Sequence, residues 1–366
     1  MGQPPECPTG VIPRRLCDDD RMFSYPDKPR RGDAIAVLSP SAPLPARLPL
    51  PYELGLRRLR EEFGLRPVEY PSTRALQASP AERAADIHAA FADPQIKAVI
   101  ASIGGDDELK VLGHLDPSLL AANPKPFFGY SDNTNLHLFL WNLGLVSYLG
   151  GSVMVQFGWP VAMHASGRRW LEAAMFTRDT VLLTPPASYC DEDGDWTDPA
   201  TFSTEPVSFP ASPWAWYGPE VRVTGPAWGG NVEIVDFHLR TGRYLLPDEK
   251  YEGAVLFLET SEEMPSAIEV YRVLMCMGER KLLQRFAAIV WGRPRAWSLE
   301  EQRDASGKAR YTQEQHDAVV AAVAEYSPGV PLVFGVDFGH TEPQFVIPSG
   351  GTVTVDGASR EIYVTY

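Results

Sequence analysis

The sequence predicts an α/β fold built on a parallel sheet with helices on both faces. Three observations carry that expectation. Short apolar, β-branched runs alternate with amphipathic helical stretches up to about residue 165, and parallel strands need such helical crossovers. The runs at 96–105 and 125–131 end in turns containing glycine or serine, the punctuation of a strand handing over to the next element. Finally, 366 residues with 44% hydrophobic and 22% charged content can bury a sizeable core, in two domains or one large one.

Residues 1–31, rich in proline and charge, read as an irregular arm. DAIAVLSPSA (33–42) reads as a buried strand entering a turn, followed by a helix with Tyr52, Leu56, Leu59 and Phe63 on one face. RPVEYP is a short strand, and PAERAADIHAAFAD (80–93) is a helix opened by proline in its first turn. IKAVIASIGG (96–105) is a strand closed by two glycines, DELKVLGHL a short helix, KPFFGYS (125–131) a strand and 133–143 a helix. The apolar run 136–159 contains His137, Asn142, Gln156 and several glycines. It therefore reads as a buried helix, a stop at Gly144 and a short strand, not as a membrane span.

After about residue 165 the texture changes. GRRWLEAAMF is helical and TVLLTP a strand, and residues 186–220 form a long irregular insert carrying Trp196, Trp214 and Trp216. Loops of that length are usually functional or disordered, and so many aromatics argue against disorder. WGGN (228–231), a helical stretch, the strand AVLFLE (254–259), the helix PSAIEVYRVLMCM (265–277) and the strand FAAIVWG (286–292) follow. A helix around 312–326 leads into PLVFGVDFGH, and the last residues read as strands joined by turns.

The formal net charge of -14 repels a phosphate backbone, so a nucleic-acid polymer is not an expected partner. A small anionic ligand needs only a few local arginines or backbone amides. The four cysteines, Cys7, Cys17, Cys190 and Cys276, lie far apart with no CxxC, which points to free thiols in the cytoplasm and away from a zinc site or disulfide framework. The first residues contain no apolar stretch of signal-peptide length. HExxH and Cys/His clusters are missing, so no metal and no cofactor is expected.

Ser131 falls where a strand gives way to a helix. A hydroxyl there suits an exposed nucleophile whose oxyanion would meet the amide of Asp132, and it equally suits a helix N-cap. Gly104 and Gly105 end a second strand, where glycines let the backbone approach a ligand or simply turn. Glu259 ends the strand AVLFLE, where a carboxylate is costly to bury unless paired. Of seven histidines, His340 has the most loop-like, glycine-flanked setting; His88, His114, His137, His238 and His316 lie in helical patterns. Ser131, Glu259 and His340 each follow a predicted strand, and a triad is defined by roles, not by order in the chain.

GYSDNTNLH, WGGN, LFLET and FGHTEPQFVIPSG together resemble the LD-carboxypeptidase family of serine peptidases, from about residue 32 to the end. The resemblance implies a flavodoxin- or Rossmann-like N-terminal α/β domain (32–165) and a smaller β-rich C-terminal domain (166–366). It implies a Ser-Glu-His triad of Ser131, Glu259 and His340, with the oxyanion hole on Gly104, Gly105 and Asp132, and a homodimer. Asn133 stands where the family usually has an apolar residue. One branch of the family trims D-alanine from murein tetrapeptides. The other resembles the microcin C immunity protein, which cleaves an amide between an aminoacyl or peptidyl carboxyl and a modified nucleotide. The aromatic insert before GGN points to the second branch, with Trp196, Asn231, Trp214 and Trp216 as substrate-binding candidates and Trp196 the first choice for stacking on a base. A murein LD-carboxypeptidase is the rival reading, and a non-catalytic nucleotide-binding protein a rival of another class.

Overall fold

The computed structural model describes residues 23–366. Cys7, Cys17 and most of the expected N-terminal arm lie outside the described residues. The end of that arm is tied to the fold: Phe23 packs on Trp141 with ring centroids 5.0 Å apart, and Ser24 donates its amide to Gly144 O at 2.8 Å.

The first half runs β1 (Ala34–Leu38), α1 (Pro49–Glu61), β2 (Arg66–Glu69), α2 (Pro80–Ala92), β3 (Ile96–Ala101), α3 (Leu109–Leu112), α4 (Pro117–Ala122), β4 (Phe127–Gly129), α5 (Thr134–Asn142) and β5 (Ser147–Leu149). The second half opens with α6 (Ala165–Phe176), β6 (Thr180–Leu182), β7 (Ser188–Tyr189), β8 (Phe209–Pro210) and β9 (Ala215–Tyr217). It continues through β10 (Arg222–Asn231), α7 (Val232–Thr241), β11 (Val255–Glu259), α8 (Ala267–Glu279), β12 (Ala288–Gly292), α9 (Ala305–Tyr326) and β13 (Leu332–Val336). The strands β14 (Ile347–Ser349), β15 (Thr352–Asp356) and β16 (Glu361–Thr365) close the chain.

The α/β expectation holds. One mostly parallel sheet of 14 strands crosses the molecule, its main path ordered β2-β1-β3-β4-β5-β14-β10-β11-β12-β13-β9, with the C-terminal β15 and β16 and the mid-chain β6 added off that path. Pairs β1–β3, β3–β4, β10–β11, β11–β12 and β12–β13 are parallel, and the direction reverses where β5 meets β14 antiparallel. The parallel strands are apolar on both faces because helices cover both: β1 and β11 are buried throughout.

The helices follow from local chemistry. Tyr52, Leu56, Leu59 and Phe63 are all at most 1% exposed, as the stripe on α1 requires. Reciprocal Ser79–Glu82 and Ser266–Glu269 capping boxes start α2 and α8. Helix α9 begins seven residues before the expected 312, because the Asp304 carboxylate accepts the Gly307 amide at 2.7 Å and satisfies its first turn. The insert is more ordered than its sequence implied. Strands of two or three residues, β7 with β8 and β9 against β13, give no periodicity to read. Among the described residues no helix is long and apolar enough to cross a membrane.

Candidate active site

Strand β4 ends at Gly129, and the chain turns sharply through Tyr130 into a 3-10 turn, Ser131–Asn133, ahead of α5. Ser131 itself has φ +63°, a left-handed conformation that strains a residue with a Cβ. Such strain costs about 1–3 kcal/mol and persists only where the surroundings enforce it. They do so here. The Asn133 amide donates to Tyr130 O at 2.9 Å and to Ile103 O at 3.1 Å, tying the serine turn to the residue before Gly104. The Asp132 carboxylate accepts the Ser41 hydroxyl at 2.5 Å, the Glu108 amide at 2.9 Å and the Asn135 side chain at 2.8 Å. A Cβ on Gly104 would stand 2.8 Å from Ser131 Cβ, so only glycine lets these two turns close on each other.

Glu259 ends β11 and is 3% exposed. Its slot is cut by two glycines: a Cβ on Gly339 would stand 2.5 Å from Glu259 Oε2, and one on Gly292 2.6 Å from Glu259 Cβ. His340 Nδ1 lies 2.6 Å from Glu259 Oε2 and donates to it, which aims Nε2 into the cleft. Nε2 has no hydrogen-bond partner among the described residues, and Glu262 Oε2 lies 3.4 Å from it. Burial by itself would depress the His340 pKa, but Glu259, then Glu262 and Glu233, outweigh it and push it up to about 9. Packing pushes the Glu262 carboxyl up, yet His340 and Arg295 hold it below the usual range. Behind them, burial and the Glu259 charge push Glu233 up to about 7, while it accepts the Ser261 hydroxyl at 2.6 Å.

Ser131, His340, Gly104 and Gly105 line one cleft of about 340 Å³, together with Tyr130, Trp196, Arg295, Glu262 and Glu263. The loops after β3, β4, β11 and β13 thus converge on one place. Trp196 also lines an adjoining cavity of about 330 Å³, with Trp159, Met154 and Val207. The other candidates lie elsewhere. Trp214 is buried, donates Nε1 to Asp337 Oδ2 at 2.8 Å and packs edge-on against Phe345. Trp216 sits on β9 opposite Val333, at the sheet edge. Asn231 caps α7 by accepting the Ile234 amide at 3.1 Å, beside Glu259 in the β10–β11 register, with its Nδ2 unpartnered. Neither cavity is lined by Trp214, Trp216 or Asn231. The other buried histidines are structural: His137 donates Nε2 to Gly129 O and accepts Ser147, and burial pulls its pKa down to about 3. Among the described residues no His, Cys, Asp and Glu cluster is arranged to hold a metal ion.

None of Glu262, Arg295 and Trp159 is named as a site residue on the sequence alone. Arg295 is 8% exposed and donates to Asp193 and, at 2.9 Å, to Trp297 O. The one available signal was RPRAW (293–297) just after the apolar strand β12, the position at which open sheets place ligand groups.

Residues 35–150 match the family model for the LD-carboxypeptidase N-terminal domain, and residues 224–355 the model for its C-terminal domain. The chain is 26% identical over 287 residues to the microcin C7 self-immunity protein MccF of Escherichia coli, covering 78% of each. It is 26% identical over 358 residues to a probable murein peptide carboxypeptidase of Bacillus subtilis, covering 93% of this chain and 94% of that one. Among solved structures, MccF in complex with aspartyl sulfamoyl adenosine superposes with a TM-score of 0.80 at 22% identity, covering 94% of this chain and 98% of that one. A Trp-to-Phe variant of MccF in complex with adenosine monophosphate gives 0.79 over the same shares, also at 22% identity. At that identity the likeness establishes the fold.

Proposed function

The chain belongs to the LD-carboxypeptidase family, matched over both of that family's domains, and on that premise we propose that it is a serine amidase acting on small aminoacyl- or peptidyl-nucleotide compounds. Ser131 Oγ attacks the scissile carbonyl while His340 Nε2 takes its proton. Glu259 holds the ring through Nδ1 and stabilises the imidazolium. The amides of Asp132 and of the Gly104–Gly105 turn receive the oxyanion. His340 then protonates the leaving amine, the C–N bond breaks, and water attacks the acyl-serine with His340 again as base. The observation that carries the reading is the strained Ser131 sharing one cleft with a histidine already locked onto a buried glutamate.

The nucleotide part rests on Trp196. It stands between the cleft and the adjoining cavity, where an aromatic face can stack on a base. MccF, similar in sequence and fold, supports the same choice. The murein carboxypeptidase relative supports the second reading, release of terminal D-alanine from tetrapeptides, and covers more of the chain. A purely binding role is disfavoured because such a role needs neither the strained serine nor the His340–Glu259 pair. In keeping with the family we propose a cytoplasmic homodimer with domains at 32–165 and 166–366.

Parallel hydrolysis assays on an aminoacyl sulfamoyl adenosine and on a murein tetrapeptide decide between the readings. Turnover of the first and little of the second is the expected result. The reverse would move the protein to the murein branch, and neither, with Ser131 inert to a fluorophosphonate, would leave the binding role.

A further inference from the structure

The cleft around Ser131 is unbalanced in charge. Four carboxylates line it, Asp106, Asp193, Glu262 and Glu263, against Arg295, its only lysine or arginine among the described residues. Arg295 is already engaged: its guanidinium donates to Asp193 and to the carbonyls of Trp297 and His340. Asp106, Glu262 and Glu263 are exposed, and among the described residues no lysine or arginine stands at ion-pair distance from them. The adjoining cavity adds Glu192, Asp198 and Glu205 and, among the described residues, is lined by no lysine or arginine; of these Glu192 is paired, at 2.7 Å, with Lys308. A second observation points to a ligand. His340 Nε2 is a buried polar atom without a hydrogen-bond partner, it faces this cleft, and Glu262 Oε2 is the charged atom standing nearest it, at 3.4 Å. An anionic acyl side chain brought to Ser131 would meet like charge from Asp106 and Glu263, which no lysine or arginine among the described residues neutralises.

We propose that the side chain of the substrate's acyl residue carries a positive charge, an ammonium or guanidinium, and that Glu262 and Glu263 receive it. The inference rests on the reading of Ser131 as nucleophile. It goes beyond that reading by naming the charge of the acyl side chain, and it separates this chain from MccF, whose solved ligand carries an acidic aspartyl side chain. The cation has a second effect. It replaces His340 as the partner of Glu262, leaving Nε2 free for the Ser131 hydroxyl. Binding of the correct substrate thereby completes the proton path.

The test uses three fluorophosphonates of equal length ending in an amine, a methyl group or a carboxylate. The rate of labelling at Ser131 is followed by mass spectrometry of the intact protein. The amine probe should label at least about tenfold faster than the carboxylate probe, with the methyl probe between, and added salt should compress the order. Glu263→Lys should narrow or reverse the order; its side chain is exposed, and circular dichroism checks that the fold survives. Equal rates, or a faster carboxylate probe, overturn the charge assignment while leaving the nucleophile standing. No labelling at Ser131 by any probe on folded protein overturns the nucleophile reading and the assignment with it.

Discussion

Ser131 is held at φ +63° with its neighbours bonded around it, so removing the hydroxyl should leave the turn standing. Ser131→Ala is expected to keep its melting temperature and to lose turnover by about three or more orders of magnitude. His340→Ala should be about as damaging, and Glu259→Gln milder; near-native turnover in Ser131→Ala would sink the assignment. The acidic surroundings of His340 set the pH profile. A base must be neutral to take a proton, and the His340 pKa is pushed up to about 9. In the free enzyme kcat/KM should therefore climb with pH well beyond the ordinary histidine value of about 6.5. Glu262→Gln should move that limb to lower pH. The stability contributed by the same pair is fully present below about 6.5 and lost as pH rises through about 9, so the melting temperature should fall across that window. Trp196 is partly buried and packs against the core. Trp196→Ala should raise KM for an aminoacyl-adenylate analogue by roughly five- to a hundredfold, with a smaller change in kcat. An equal loss on a substrate lacking the base would mean that the tryptophan only shapes the fold.

At the scale of elements, the glycine-ended strands matter most. Gly339 has φ +95° and faces Glu259 Oε2 across a gap that admits no Cβ. Gly339→Ala should displace Glu259 from His340 and lower kcat/KM by tenfold or more, about 1.4 kcal/mol, while near-native kinetics would show that the slot has slack. Most elements were legible because their patterns are strong: the α1 stripe, the capping boxes, and the β-branched runs of β3 and β11. The insert was not, since two-residue strands have no period and their stability comes from distant partners. Asp304 was overlooked as a cap because the residues after it, ASGKAR, lack an apolar stripe.

At the scale of the molecule, the insert is clamped onto the loop that carries His340. Cys190 and Glu342 exchange both backbone hydrogen bonds, at 2.7 and 2.9 Å, and Lys308 on α9 bonds the fully buried Asp191 at 2.6 Å. Lys308→Met would leave that carboxylate buried without its cation. It should destabilise the fold by about 3–5 kcal/mol in urea unfolding, and a change below 1 kcal/mol would show that Asp191 finds other partners. The sequence alone determined the α/β class, the strand-end positions of Ser131, Glu259 and His340, and the family, because each is written in local periodicity or in a short motif. Tertiary structure alone decided which charges surround His340, which of three tryptophans reaches the cleft, and that Asn133 braces the serine turn. Those facts depend on loops from strands on either side of the antiparallel β5–β14 seam meeting in space, and no local pattern records where residues far apart in the chain come together.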